Sequence, residues 1–174
     1  MTVFCVVIAA VLLQRGGELV LARVNTARLL RRGAIEIDRA GYKWIVALHI
    51  AWLVAMVATV PPATAPEWPL LALFLALQLG RVWVIASLGR RWTTRLIALP
   101  GAPLVSAGPY RFLSHPNYLI VAGEIAVLPL AFGAVTVAIL SSACNGVLLA
   151  RRIRLEHAAL GLPQPSHSRN PAPS

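Results

Sequence analysis

The sequence predicts an all-α integral membrane protein of about five transmembrane helices. Of its 174 residues, 58% are hydrophobic and only 13% are charged, whereas soluble domains are closer to half apolar and a quarter charged. The mean hydropathy is +0.73. The apolar residues also fall into runs close to the roughly 20 residues that a spanning helix needs. A soluble fold of this composition would expose large apolar patches, so the chain is expected in a bilayer.

Five apolar segments are separated by turn signals or polar loops. Segment two ends at Pro61 and Pro62, because proline cannot continue a helix. The stretch 125–150 contains no charged residue and, with the residues before it, is too long for one span. It is expected to form two helices joined near Pro129 and Gly133. The predicted spans are residues 2–21, 42–60, 68–88, 116–131 and 134–157.

These spans are predicted to form one membrane-embedded domain over residues 1–162. Residues 163–174 are rich in proline and serine and are expected to be a disordered tail.

The basic residues predict the orientation of the five spans. They cluster after segments one, three and five, and these connections fall on the same side of a five-span arrangement. Basic loops are typical of the cytoplasmic side, so the amino terminus is expected outside and the carboxy terminus inside. The clusters are the loop 22–43, the residues Arg90, Arg91, Arg95 and Arg111, and the residues Arg151, Arg152 and Arg154.

The net charge of +10 does not indicate a nucleic-acid partner. Nucleic-acid binding needs a basic face on a soluble fold, and here the basic residues lie between apolar runs, where they would contact the membrane surface. Cys5 and Cys144 lie within apolar runs and are expected to pack there. The four histidines are scattered, so we predict no metal site.

A polar, turn-rich cluster precedes segment four. Pro116 suits the first turn of a helix, because its missing N–H would be unpaired there. Ser114 is then the expected N-cap, and His115 lies at the helix mouth, where free N–H groups favour anions. Tyr118 falls within the first turn.

A second polar cluster ends segment five. Arg152 and Glu156 are four residues apart and share a helical face. In an antiparallel hairpin they lie beside the start of segment four, so they are expected to form a polar pocket with His115, Tyr118 and His157. The alternative is an ordinary ion pair at a helix end, worth a few tenths of a kcal/mol.

Ionisable residues also fall within the predicted spans. Glu124 is two turns into segment four, and such a group is a functional candidate by default. Arg15 with Glu18, and Gln78 with Arg81, either have a function or pair within the helix bundle.

Together these motifs resemble the isoprenylcysteine carboxyl methyltransferase family. The chain is most similar to the short bacterial members associated with type III polyketide synthases. The resemblance extends to about residue 160 and rests mainly on two motifs, Gly108-Pro109-Tyr110-Arg111-Phe112 followed by His115-Pro116-Asn117-Tyr118, and Arg152-Ile153-x-x-Glu156.

The resemblance implies a methyltransferase of the bacterial cytoplasmic membrane that uses S-adenosylmethionine and takes a lipophilic small molecule from the inner leaflet. We expect substrate contacts from Arg81, Trp92, Ser114 and Glu124. By motif position, the cofactor pocket would be lined by Tyr110, His115, Pro116, Tyr118, Arg152 and Glu156.

Two departures from the family bear on the acceptor. Ser114 stands where family members commonly have arginine, a natural partner for a substrate carboxylate, and His157 replaces a second glutamate. We therefore expect O-methylation of a long-chain polyketide phenol or pyrone, with His115 or His157 as base and a functional link to a polyketide synthase. The alternatives are a prenylcysteine carboxyl methyltransferase, an NADPH-dependent reductase of the sterol-reductase type, and a non-catalytic membrane protein.

Overall fold

The computed structural model of the protein describes residues 2–102 and 105–160. Within these ranges, five α-helices account for most of the chain, and the predicted tail at 163–174 lies outside them. Two single 3₁₀ turns lie at Gly89–Arg91 and Gly108–Arg111. The helices are α1 (Val3–Arg31), α2 (Arg39–Thr59), α3 (Trp68–Leu88), α4 (Pro116–Ala131) and α5 (Val135–Leu160).

The helices indicate an integral membrane protein. In the described part of the chain, three helical stretches are long and apolar enough to cross a bilayer, and α4 is a shorter apolar helix. α5 has 26 residues but is not among the three. The count of five spans and their orientation in a membrane remain predictions. The three long stretches are Val3–Arg31, Arg39–Thr59 and Trp68–Arg91.

The end of the first segment was predicted wrongly. α1 continues to Arg31, although the prediction placed a loop from residue 22 onward. Residues 22–31 contain no glycine or proline and include several good helix formers, so nothing stops the helix before Gly33, where φ is +86°. A helix of 29 residues is about 44 Å long. It exceeds the roughly 30 Å hydrocarbon core, so its basic end projects beyond it.

A short β-sheet departs from the all-α prediction. The strands β1 (Ile35–Glu36) and β2 (Ile97–Ala98) pair antiparallel. Two residues per strand are too few to show an alternating pattern in the sequence. The pairing joins the connection before α2 to the one after α3.

The three basic clusters meet at one end of the helix bundle, which we call the polar end. The Asn25 amide near the end of α1 donates to the carbonyls of Gly89 and Trp92, just after α3, at 3.1 and 2.9 Å. The end of α5 reaches the same region, because Arg152 Nη2 donates to the Thr94 carbonyl at 2.9 Å. The starts of α2 and α4 lie here too, because Arg151 donates to Asp38 just before α2 and Tyr118 of α4 donates to Glu156.

The turn between α4 and α5 lies at the opposite end of the bundle. Gly133 adopts φ +72°, which favours glycine, and the turn lies at residues 132–134. Pro129 is inside α4 rather than in the turn. There the proline lacks the N–H that would bond to the carbonyl four residues earlier, so α4 has one backbone hydrogen bond fewer in its last turn. The Phe4 ring packs edge-on against Phe132, with centroids 5.1 Å apart, in an apolar core that includes Trp52.

A buried ion network joins α1, α3 and α4. Arg81 donates from Nε and Nη2 to the two Glu18 oxygens at 2.5 and 2.7 Å, and from Nη1 to Glu124 at 3.0 Å. Arg15 bridges the same carboxylates, at 3.1 Å from Glu18 and 2.6 Å from Glu124. Gln78 donates to the other Glu124 oxygen at 2.9 Å. Two positive and two negative charges balance, so each buried charge has an opposite partner.

Arg81→Met should lower the free energy of unfolding by about 3–5 kcal/mol, because removing one partner leaves buried carboxylates uncompensated. Reversible unfolding in mixed micelles measures the change. Arg154→Met is the matched control, because Arg154 is exposed and bonds only the Ala150 carbonyl of its own helix among the described residues. Equal unfolding free energies for the two variants would contradict a stabilising role for the network.

Candidate active site

The start of α4 differs from the predicted cap. The N-cap residue is His115, and its side chain makes no capping hydrogen bond. The predicted cap, Ser114, lies outside the helix and is exposed. The reason is that Pro116 takes the first helical position, so the residue directly before it becomes the cap. The His115 carbonyl accepts from the Tyr118 N–H at 3.1 Å, which holds the His115 backbone against the first turn.

The five residues expected to form a polar pocket do converge. The Tyr118 hydroxyl donates to Glu156 Oε2 at 2.7 Å and accepts from Arg152 Nε at 3.1 Å. The Arg152 guanidinium also lies over the Tyr118 ring, 5.7 Å from its centroid. His115 stacks on Tyr118 with centroids 5.2 Å apart. Its Nδ1 is 3.7 Å from Glu156 Oε2, and its Nε2 is 3.2 Å from His157 Nε2.

The contacts between the two histidines restrict their protons. Two ring nitrogens can hydrogen-bond only if one of them carries a proton and the other does not. A proton on His115 Nδ1 faces the Glu156 carboxylate and leaves His115 Nε2 to accept from His157. In this arrangement, assigned from the contacts rather than observed, His157 Nδ1 has a free lone pair. That atom is buried and has no hydrogen-bond partner among the described residues.

Tyr110 reaches the site from the 3₁₀ turn Gly108–Arg111. Gly108 adopts φ +60°, and a Cβ there would collide with the Ser87 hydroxyl. Glycine therefore lets the turn dock on α3. Burial, aided by the nearby Glu156 carboxylate, raises the pKa of Tyr110 to about 12. At neutral pH Tyr110 is therefore a protonated phenol and not a base.

An ion pair that the sequence analysis did not predict connects the end of α5 to the start of α2. Arg151 donates from Nη1 and Nη2 to the two Asp38 oxygens at 2.7 and 3.0 Å, and the Gly41 N–H donates to Asp38 at 2.9 Å. A Cβ at Gly41 would collide with both side chains. Burial raises the Asp38 pKa, but the Arg151 and Gly41 bonds outweigh it, and the net pKa lies below its usual value. The basic residue next to Arg152 therefore fixes α5 to the start of α2.

Two cavities meet at this cluster. The first, which we call the polar-end cavity, has a volume of about 270 Å³ and is lined by Tyr110, Tyr118, Arg152 and Glu156 together with residues 91–93 and 95–99. The second, which we call the apolar cavity, has a volume of about 360 Å³ and lies between α1, α2 and α5. Both are lined by Trp92, Thr93, Asn117, Tyr118 and Arg152.

Of the four residues predicted to contact the substrate, two line a cavity and two do not. Trp92 lines both cavities and Arg81 lines the apolar cavity. Ser114 and Glu124 line neither of these two cavities, and both Glu124 oxygens are bonded within the ion network. Of the predicted cofactor residues, Tyr110, Tyr118, Arg152 and Glu156 line the polar-end cavity, whereas His115 and Pro116 do not. His115 and His157 line neither cavity, and His115 contacts the cavity-lining residues Tyr118 and Glu156.

Sequence analysis did not select Thr94 or Asn117. Thr94 contributes a backbone carbonyl to Arg152, a role that no side-chain pattern reveals. Asn117 lies within the His-Pro-Asn-Tyr motif, so its position was the only available signal.

Comparison with known proteins agrees with this geometry. Residues 70–161 match the isoprenylcysteine carboxyl methyltransferase family, and this range covers the converging motifs. The chain belongs to this family. It is also 37% identical over 161 residues to the uncharacterized protein YpbQ of Bacillus subtilis (strain 168), covering 90% of this chain and 96% of that protein. No solved structure matches the chain significantly.

Membership of the isoprenylcysteine carboxyl methyltransferase family indicates a membrane methyltransferase, and its members use S-adenosylmethionine. The polar-end cavity fits this cofactor chemically. The Glu156 carboxylate and the rings of Tyr110 and Tyr118 suit a sulfonium and an ammonium group. Within the described residues no carboxylate lies within ion-pair distance of Arg152, so its guanidinium suits the cofactor carboxylate. The buried Trp92 Nε1 and Asn117 Oδ1 also lack hydrogen-bond partners there.

Asp38→Asn should reduce stability at neutral pH but not in strong acid. The folded-state pKa of Asp38 lies below its usual value of 3.8. Its contribution is therefore complete above that value and is lost as the pH falls through the lower folded pKa. Thermal unfolding of wild type and variant from pH 7 to about pH 2 measures the difference. Glu67→Gln, on an exposed residue, is the control. A difference that does not change with pH would contradict the assignment.

Proposed function

We propose that this protein transfers a methyl group from S-adenosylmethionine to an oxygen of a lipophilic acceptor, a long-chain phenol or pyrone, at the cytoplasmic face of a bacterial inner membrane. The lipid bilayer and a lipophilic small molecule are then its partners, and a polyketide synthase that makes such molecules is its expected functional link. S-adenosylmethionine, when bound, supplies an electrophilic methyl group.

The shared wall of the two cavities carries the proposal. A methyl transfer from a water-soluble cofactor to a lipid needs one polar and one apolar site that meet at the reacting atoms. Here the polar-end cavity and the apolar cavity share Tyr118, Arg152 and Asn117. An acceptor oxygen at this junction would lie beside the Tyr118 hydroxyl and the Arg152 guanidinium.

The apolar cavity is placed to receive a molecule from the bilayer. Its walls include Leu12 and Leu19 of α1 and Ile50 of α2, which also rank among the exposed large hydrophobic residues. The cavity thus borders a surface of the two helices that would face lipid acyl chains. An alkyl tail can extend between α1 and α2 while the polar head reaches the junction.

Tyr118 and the residues that contact it form a short path for the acceptor proton. Tyr118 donates to Glu156, Glu156 faces His115 Nδ1, and His115 contacts His157. A proton released from an acceptor hydroxyl can move to the Tyr118 oxygen as the Tyr118 proton moves to Glu156, and the Glu156 carboxylate is then the final proton acceptor. The proton on His115 Nδ1 faces Glu156, and His157 contacts the other nitrogen of the His115 ring, so the two histidines orient the carboxylate. In this proposal the histidines act through Glu156 and Tyr118 rather than by direct contact.

The class of the acceptor is inferred from its need for a base and from the serine at position 114. A carboxylate acceptor needs no base, whereas a phenol, with an ordinary pKa near 10, benefits from one. Ser114 stands where the family commonly has arginine, and it is exposed and outside both cavity walls. These observations favour a phenol or enol. Family membership favours the second candidate, a prenylcysteine carboxylate.

S-adenosylhomocysteine, but not NADPH, should raise the unfolding temperature of the purified protein, because only a ligand of the folded state stabilises it. Glu156→Gln should reduce this stabilisation by removing the charge that faces the polar-end cavity. Glu67→Gln, which changes an exposed carboxylate, should behave as wild type. Stabilisation by NADPH alone would favour a reductase, and stabilisation by neither would favour a non-catalytic protein.

His115→Asn should lower kcat for 3-pentadecylphenol by about 10- to 10²-fold, at or below the lower end of the usual contribution of acid–base catalysis, because Glu156 loses the ring that orients it. It should leave kcat for a prenylated cysteine nearly unchanged, because a carboxylate acceptor has no proton to lose at neutral pH. Membranes incubated with labelled S-adenosylmethionine and each acceptor give the rates, and a bacterial lipid extract identifies the natural product. Equal losses with both acceptors would remove the proton path from the mechanism.

A further inference from the structure

The apolar cavity contains a polar side chain that the proposed methyl transfer does not use. Asn145 of α5 lines this cavity and is only 4% exposed. No hydrogen bond of its amide occurs within the described residues, and its amide atoms are not among the fully buried unpaired ones, so they keep surface that faces the cavity. Asn145 is therefore positioned to bind a ligand in this cavity.

A second polar atom faces the same cavity from α2. His49 Nδ1 lies 2.8 Å from the Ile45 carbonyl, and because a carbonyl only accepts, Nδ1 carries the proton. The neutral ring then presents Nε2 as an acceptor, and Nε2 bonds to no other described residue. Asn145 offers donors and an acceptor, and His49 offers an acceptor. Such a pair suits a hydroxyl group or a hydroxyl tautomer.

The two side chains lie at a similar depth. Thr94 marks the level of the junction, because its carbonyl accepts from Arg152 and its hydroxyl is 3.1 Å from the Tyr42 hydroxyl. His49 follows Tyr42 by seven residues along α2, and Asn145 precedes Arg152 by seven along α5. Seven residues are two helical turns, about 10 Å. The two helices run in opposite directions, so both side chains lie two turns inward from the junction.

The distance between the junction and Asn145 limits the size of a ligand group that can span them. About 10 Å separates the junction level from Asn145, and one hydrogen bond of about 3 Å at each end leaves roughly 4 Å between two ligand oxygens. Oxygens on alternate carbons of a six-membered ring have about this spacing. A single ring could thus place one oxygen at Tyr118 and Arg152 and the other at Asn145.

We propose that the apolar cavity selects a lipophilic acceptor whose ring carries a second oxygen, and that Asn145 and His49 bind that oxygen while the first is methylated. This inference rests on the proposed function, because it takes the apolar cavity to be the binding site of the acceptor. Asn145 and His49 are specificity-determining residues in this arrangement. The charged groups of the ion network are already paired with each other, so recognition of the second oxygen is through neutral hydrogen bonds.

The test compares two lipids that differ by one hydroxyl, 5-pentadecylresorcinol and 3-pentadecylphenol. Dissociation constants come from ligand-dependent thermal stabilisation of the full-length protein in detergent. Wild type should bind the resorcinol about five- to tenfold more tightly, the usual effect of one net hydrogen bond. Asn145→Leu, which keeps the side-chain volume, should bind the two lipids nearly equally. Ser141→Ala is the matched control, because Ser141 is buried on α5 but lies outside this cavity.

Stabilisation by S-adenosylhomocysteine shows that each variant is folded, and His49→Leu gives the same readout if Asn145→Leu does not fold. The proposal is overturned if wild type binds neither lipid, if it does not prefer the resorcinol, or if the preference survives in both variants. Methyl transfer is measured separately. Selective binding without transfer would overturn the proposed function alone, and transfer without selectivity would overturn this inference alone.

Discussion

Two arginines and two glutamates lie inside the helix bundle, and the arrangement of α1, α3 and α4 depends on their mutual neutralisation. Glu124 has no exposed side-chain surface and Arg81 has 5%, so neither charge can be solvated by water. Each must find its partner on a different helix, because ions buried singly in an apolar medium are too costly. The network therefore sets the relative position of the three helices more strictly than apolar packing, which tolerates many arrangements against lipid.

This constraint extends to the site at the polar end. α4 carries Glu124 into the network and, two turns earlier, carries Tyr118 to the junction of the two cavities. α5 is fixed independently, through Arg151 to Asp38 at the start of α2. Tyr118 and Glu156 meet at 2.7 Å because both helices are held at separate points. A cavity between water and lipid would be poorly defined if it depended on apolar contacts alone, and here ion pairs fix both sides.

The same helices explain how a polar and an apolar ligand can share one wall. The polar-end cavity is lined mainly by the connection after α3 and by polar side chains of α4 and α5, and its charged residues Arg95, Arg152 and Glu156 favour a charged, water-soluble molecule. The apolar cavity is formed by helix faces, where the side chains alone determine polarity. Trp92 and Asn117 belong to both walls and carry buried polar atoms without partners in the described chain. The proposed reaction places its two substrates on the two sides of this wall.

The sequence by itself determined the helical class, the position of most helix starts, and the meeting of His115, Tyr118, Arg152, Glu156 and His157. These follow from local rules: apolar runs, proline positions, and the fact that the two ends of a helical hairpin lie together. The prediction ended α1 too early because it interpreted the basic residues after position 21 as a loop, although no glycine or proline interrupts residues 22–31. Only the tertiary structure decided that Arg15, Glu18, Arg81 and Glu124 form one network, that Asp38 holds Arg151, and that Asn145 faces a cavity. These depend on which faces of non-adjacent helices meet, and no spacing along the chain records the rotation of one helix against another.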